Sequence, residues 1–250
     1  MNVDQLRERL TFYRDLGIDE VFVRQAISSP VTVFPNSIAA SSIAEGVTLA
    51  SALPSLAPEG DTLLKIRQDI GDDCRRCRLC EARAKIVFGS GNEQSGLVFV
   101  GEGPGADEDA QGLPFVGRAG QLLTQMIENT ASKEGIPIRR PDVYICNVVK
   151  CRPPENRAPQ PDEMEICGQF LFRQLMVIRP KAICAMGSTA AKAVLGTKDG
   201  VTKLRGKWHK WRDIPVMVTY HPSYLLRAYN QEAKREAWED LKKVLHFVYD

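Results

Sequence analysis

The sequence predicts an α/β fold: a three-layer α/β/α arrangement around a central four-stranded parallel sheet, preceded by an N-terminal helical and disordered extension. Two observations carry this. From Asp61 onward, short apolar runs alternate with longer helical stretches, and this strand–helix–strand alternation is the pattern of a parallel sheet covered on both faces. Before it, residues 28–60 shift to Ser, Ala, Pro and Thr with few charges and no sustained period, which reads as a disordered linker. The chain therefore divides into an extension over 1–60 and one main domain over 61–250. With 250 residues, 44% of them hydrophobic and 26% charged, that domain can bury a sizeable core.

Residues 2–26 read as an amphipathic helix, because Leu6, Leu10, Tyr13 and Leu16 recur at three- and four-residue steps. Such a helix either docks on the domain or serves as an arm for a protein partner. The main domain opens with a helix at 61–71 and a strand at 96–102, followed by a helix at about 118–133. A strand at 143–149, a helix at 162–178 and a strand at 182–186 come next. A helix from Ser188, a strand at 214–220 and a helix at 232–247 complete the series. In such sheets ligands bind at the carboxyl ends of the strands, so the residues just after each strand are where chemistry is sought.

Charge and composition exclude several classes. The net charge is +2, and the first 60 residues hold only four of the 33 basic but seven of the 31 acidic residues, leaving the main domain near +5. A phosphate-facing surface is compatible with that balance, whereas a dedicated nucleic-acid coat would be far more basic. No run approaches the roughly 20 apolar residues of a membrane span, and the N-terminus lacks the pattern of a secretory signal. A cytoplasmic protein without membrane contact is expected. There the seven cysteines, an odd number, point to metal binding more than to disulfides.

After the first strand comes Gly101-Glu102-Gly103-Pro104-Gly105, with Glu108 following and then Gly112-Leu113-Pro114-Phe115-Val116-Gly117. Glycines at that density let a ligand approach backbone N–H groups. Neither the Walker A nor the dinucleotide fingerprint fits, since no Gly-Lys-Ser/Thr follows and the glycine spacing is wrong. After the second strand, Asn147 offers one acceptor and two donors on a rigid platform, suited to reading a base edge, although an ordinary turn-forming Asn is the simpler alternative. Among the three histidines, His209 falls in a Trp-rich polar turn and His246 in the last helix. His221 alone stands at a strand's carboxyl end, before a proline that can open a helix.

Cys74-x-x-Cys77 together with Cys151 and Cys167 gives two separated pairs that can enclose one metal centre. Spacing alone leaves zinc and an iron–sulfur cluster open, and Cys80 competes for a place. Cys146 and Cys184 lie inside apolar strands, where a free cysteine packs as a small hydrophobe.

Four ordered blocks, GEGPG with GLPFVG, NVVKCRPPENRAP, RGKW at 205–208 and HPSYLLR, closely resemble the iron–sulfur uracil-DNA glycosylases called family four, over about 72–245. The resemblance implies a uracil-DNA glycosylase-like fold, uracil-containing DNA as the partner and monofunctional release of uracil. It also implies a [4Fe–4S] cluster on Cys74, Cys77, Cys151 and Cys167; the family has no cysteine at the position of Cys80. Carried over, Phe115 stacks on the flipped uracil, Asn147 reads its edge and His221 contacts the departing base. Glu102, Glu108 and Asn156 match further functional positions. From the chemistry of the reaction, Glu102 is expected to position water and the backbone near Gly103 to share in stabilising the leaving base. Leu225 resembles the leucine wedge of related glycosylases, with a core leucine as its alternative. Arg152, Arg157, Arg227 and the helix start at Ser188 are expected on the DNA backbone. This chain has Ser223 where the third block often reads His-Pro-Ala, and its short loop after the second strand lacks the basic, His-containing insertion of relatives that capture the sugar covalently. An electron-transfer protein would explain the cysteines but leave Asn147, His221 and Phe115 idle, and a non-catalytic DNA-binding module would leave the chemistry unused.

Overall fold

The computed structural model describes residues 57–227 and 230–250. The helix expected over 2–26, and all but the last residues of the linker, lie outside these. The described residues belong to one compact unit. It opens with α1 (Leu63–Ile70), capped by the Thr62 hydroxyl on the Lys65 N–H. There follow β1 (Ser90–Gly91), β2 (Leu97–Gly101), α2 (Ala106–Gln111), α3 (Arg118–Glu134) and β3 (Tyr144–Asn147). The chain continues through α4 (Pro161–Ile178), β4 (Ala182–Met186), α5 (Gly187–Leu195) and α6 (Val201–Leu204). It closes with β5 (Trp208–Trp211), β6 (Ile214–Thr219), α7 (Pro222–Leu225) and α8 (Gln231–Tyr249).

Among the described residues six strands form one sheet in the order β1-β3-β2-β4-β6-β5. The inner four, β3, β2, β4 and β6, are parallel as the alternation predicts, while β1 and β5 add antiparallel edges. The expected four-stranded parallel centre is present, and the two edge strands extend it to six. Trp208-His209-Lys210-Trp211, read as a polar turn, is the edge strand β5, so His209 sits on a strand. Its two charge-bearing positions and exposed outer edge hide the apolar signal by which the inner strands are recognised.

The inner strands are buried along both faces. Leu97, Phe99, Ile145, Cys184 and Met217 join Leu123 and Ile127 of α3 and Leu241, Val244 and Leu245 of α8 in one core cluster. Strand residues of the opposite parity, among them Val98, Val100, Ile183 and Val218, point to the other face by the period of two and are equally buried. After β2 the chain first adds β3 on one side and then β4 on the other. That reversal makes the carboxyl end of β2 the place where the sheet opens a crevice.

Candidate active site

The parallel register sets Gly101 level with Asn147 at the ends of β2 and β3, and Met186 level with Thr219 at the ends of β4 and β6. Around these ends lies a cleft of about 250 Å3, lined among others by Glu102, Gly103, Phe115, Asn147 and His221. Gly101 is required by close approach: a Cβ there would stand 2.4 Å from Asn147 Oδ1 and 2.5 Å from the Phe115 ring. Its absence lets the amide and the ring meet over the strand end.

Phe115 adopts a positive φ of 53°, a backbone state costly for a bulky side chain, so its surroundings must enforce it. Two features do. The Glu108 carboxylate accepts hydrogen bonds from the backbone N–H groups of Gly105 (3.1 Å), Val116 (2.9 Å) and Gly117 (2.8 Å). Gly120, in the first turn of α3, lies so close that a Cβ would fall 1.9 Å from the Phe115 carbonyl. Glu108 lines the cleft, but its carboxylate is spent on the loop that presents Phe115. From the cleft wall it braces that loop.

Asn147 is 1% exposed, and among the described residues its Oδ1 has no hydrogen-bond partner. A buried unpaired acceptor costs on the order of 1–3 kcal/mol, so a ligand bringing a donor to it recovers that cost. Across the cleft the His221 ring lies 5.6 Å from Phe115, centroid to centroid. His221 Nδ1 accepts from the Ser223 backbone N–H at 3.2 Å and lies 2.8 Å from the Ser223 hydroxyl. A backbone N–H can only donate, so Nδ1 carries no proton and the neutral ring holds it on Nε2. Burial lowers the imidazole pKa to about 4, with the Glu108 charge opposing the shift weakly. Glu102, half-buried on the cleft wall, accepts a hydrogen bond from the hydroxyl of Thr189 in the first turn of α5. Thr189 was signalled in the sequence only as part of a helix start.

The outer positions fare unevenly. Arg157 lines the cleft but is committed to a bidentate pair with the buried Glu163 at 2.8 and 2.6 Å. Asn156, also on the rim and at a positive φ, accepts from Arg152 Nε at 2.8 Å. Ser188 is exposed at the start of α5, and Arg227 lies over the Tyr224 ring at 5.8 Å. Leu225 is corrected: it is 1% exposed and packs with Ala233 and Ala237 of α8, so it is a core residue and not a wedge. The large apolar groups exposed on either side of it are Tyr224 and Leu226. In a one-turn helix, phase cannot be read from sequence, and the buried member of the Leu225-Leu226 pair was not distinguishable. Leu225→Ala is expected to destabilise the fold by about 2–5 kcal/mol through the cavity it leaves. A variant as stable as the parent in denaturant melts would contradict the packing described.

Cys74, Cys77, Cys151 and Cys167 line one small cavity between α1, the loop after β3 and α4, together with Ile70 and Phe170. Cys80 lies in the helical turn Arg78–Glu81 and does not line it, and none of the seven cysteines is in a disulfide. The Lys150 backbone N–H points at Cys167 Sγ (3.2 Å) and an Arg83 N–H at Cys151 Sγ (3.6 Å). Burial pushes the thiol of Cys151 up to about 12 and that of Cys167 to about 11.

Comparison with known proteins places this arrangement. A family model described as the uracil DNA glycosylase superfamily matches residues 88–242. The chain is 45% identical over 190 residues to the type-4 uracil-DNA glycosylase of Thermotoga maritima, covering 75% of this chain and 96% of that one. It is 43% identical over 179 residues to the type-4 enzyme of Archaeoglobus fulgidus, covering 68% and 86%. A type-5 uracil-DNA glycosylase of Pyrobaculum aerophilum is 32% identical over 157 residues, covering 62% and 64%. The chain belongs to the uracil DNA glycosylase superfamily, and within it to the type-4 uracil-DNA glycosylases. No described helix is long and apolar enough to cross a membrane.

Proposed function

We propose that this protein removes uracil from DNA by hydrolysing the N-glycosidic bond, leaving an abasic site for repair. The observation that carries this reading is the unpaired Oδ1 of Asn147, buried in a cleft opposite the Phe115 and His221 rings. Uracil brings an N3–H donor to that oxygen and an O4 acceptor to the amide N–H.

A uracil in a duplex hides its glycosidic bond, so the nucleotide must be extruded at a cost of a few kcal/mol. Stacking on Phe115, worth about 1–3 kcal/mol, offsets part of that cost. As the bond breaks, negative charge grows on the uracil ring and positive charge on the sugar. The Nε2–H of His221 donates to O2, where the negative charge builds, and the backbone N–H groups near Gly103 assist. Glu102, fixed by Thr189, orients the attacking water and favours the cationic sugar. Among the described residues no lysine lines the cleft, which leaves a Schiff-base route without its nucleophile. Lys150, three residues past Asn147, is wholly buried, with Nζ donating to the Asn147 carbonyl (2.8 Å) and Gln174 Oε1 (2.6 Å). Hydrolysis without strand cutting follows. Arg152, Arg227 and Ser188, around the cleft or on nearby surface, are offered to DNA phosphates, and binding should weaken steeply with salt.

The cysteine cavity fits a [4Fe–4S] cluster. It presents four thiols and no competing carboxylate, with N–H groups aimed at two of the sulfurs. In such a centre each iron takes one thiolate. Bound there, the cluster would crosslink the segment after α1, the loop after β3 and α4. Cys77→Ala is expected to lose the brown chromophore and the folded state together, whereas Cys80→Ala keeps both. Iron analysis and absorbance of anaerobically purified variants check this, and stoichiometric zinc in place of iron would contradict it. The reading of function is tested by offering single-stranded DNA and duplexes with U:G, U:A and T:G pairs and measuring free base.

A further inference from the structure

Two residues immediately precede His221, and both are tied to the same helix. The Thr219 hydroxyl donates to Asp240 Oδ2 at 2.9 Å, and the Tyr220 hydroxyl donates to Glu236 Oε2 at 2.9 Å. Glu236 and Asp240 stand one turn apart on α8, and a single side chain, Arg205, clamps the pair. Its Nη2 donates to Asp240 Oδ1 (2.9 Å) and to the Glu236 carbonyl (3.0 Å), its Nη1 to Glu236 Oε1 (2.9 Å) and its Nε to Asp240 Oδ2 (3.1 Å). The same guanidinium lies over the Tyr220 ring at 5.5 Å. Arg205 heads the RGKW block, which the chemistry of the cleft leaves without a task.

The backbone of His221 is thus bounded on both sides. On one side stands Gly187, whose φ of +90° and missing Cβ leave room for the His221 Cβ, with only 3.0 Å to where a Cβ would sit. On the other, the exit of β6 is fixed by the two hydroxyls and the clamp behind them. Asp240 and Thr219 are buried, so the bond between them is formed out of water, where geometry is held firmly, while the Tyr220–Glu236 bond is part-buried.

We propose that the hydroxyls of Thr219 and Tyr220 are positioning groups for His221, held by Asp240 and Glu236 under the Arg205 clamp so as to set where the imidazole meets the departing base. This rests on the role of His221 given above. The bland alternative is that the network only packs α8 against the sheet. The two differ in what they couple to. A positioning role acts solely through His221, while packing acts on stability whichever residue stands at 221.

The test is a double-mutant cycle on the full chain. Thr219→Val with Tyr220→Phe removes the two hydroxyls and keeps their volumes, and Tyr220→Phe alone serves if the pair does not fold. The single-turnover rate of uracil release from single-stranded DNA is expected to fall about 10- to 100-fold, as misplacement of a reacting group does, with DNA affinity kept. In a His221→Ala background the same substitutions should cost almost nothing further. An unchanged rate, or an equal loss with and without His221, would overturn the proposal. A second readout is independent of activity. With imidazole nitrogens labelled and only three histidines in the chain, His221 should keep the Nε2–H tautomer that the Ser223 N–H sets, while its nitrogen resonances shift and broaden in the hydroxyl-deleted variant as the ring is displaced. Identical nitrogen spectra would also overturn it. Absence of uracil release by the unsubstituted protein would instead sink the functional reading, leaving the nitrogen spectra to decide this one.

Discussion

His221→Ala should lower the single-turnover rate of uracil release by about 10²–10³-fold, the range for removing one donor from a developing anion. DNA affinity should change little, because the contact strengthens only as charge moves onto the base. The state of the ring sharpens the expectation. With its pKa held at about 4 by burial, His221 is neutral at physiological pH and donates through Nε2. The rate should therefore show no inflection near pH 6.5 from this residue, and any limb owed to its protonation should lie near pH 4. Stability follows the same shift. The folded-state pKa lies below the unfolded value of about 6.5, so the unfolded chain binds more protons between pH 6.5 and about 4. This residue's contribution is complete above that window and is lost as pH falls through it, and His221→Ala should flatten that part of the stability curve. Rates from pH 4 to 9 and melts over the same range check both. A parent-like rate in the variant would remove His221 from the chemistry.

Asn147→Asp is expected to change which base is accepted. Uracil presents an O4 acceptor beside an N3–H donor, and the amide answers both. Cytosine reverses the two groups, offering an N4 amino donor and an N3 acceptor, so the wild-type site meets it with two mismatched contacts in a buried setting. Each unpaired buried group costs roughly 1–3 kcal/mol. At tenfold per 1.4 kcal/mol, two of them discriminate by roughly thirty-fold or more. A carboxylate at 147 repels uracil O4 and suits the cytosine amino group. Uracil excision should fall steeply, and weak cytosine excision should emerge, most readily in single strands where no pairing has to be broken. Full retention of uracil excision by Asn147→Asp would show that this side chain does not read the base.

How far such a site is legible in a sequence depends on where its determinants lie along the chain. The inner strands are buried on both faces and announce themselves as apolar runs, and those runs alone place Asn147 and His221 at strand ends. The edge strand β5 is hidden because it is only four residues long and Trp-His-Lys-Trp, set between Lys207 and Arg212, shows neither alternation nor an apolar run. The glycines near the cleft were visible, but not their individual reasons. Gly101 makes room for Asn147 and Phe115, and Gly120 for the backbone of Phe115, both through contacts between separate elements. Glu108 is legible as a cleft residue from its loop, but its bracing of that loop shows only in the direction of its three N–H partners. The clamp of Arg205 joins residues 31 and 35 positions apart in sequence, a separation no local pattern records. The four cysteines were grouped by spacing and the cavity they line brings them together, whereas the arm expected over 2–26 lies outside the described residues.

The most direct test of the account is chromatographic detection of free base after the purified protein is incubated with DNA carrying a single uracil. Stoichiometric release of uracil, alkali-labile abasic sites and no strand cutting before alkali are expected. Tight binding to that DNA with no uracil released, under conditions that keep the iron bound, would contradict this.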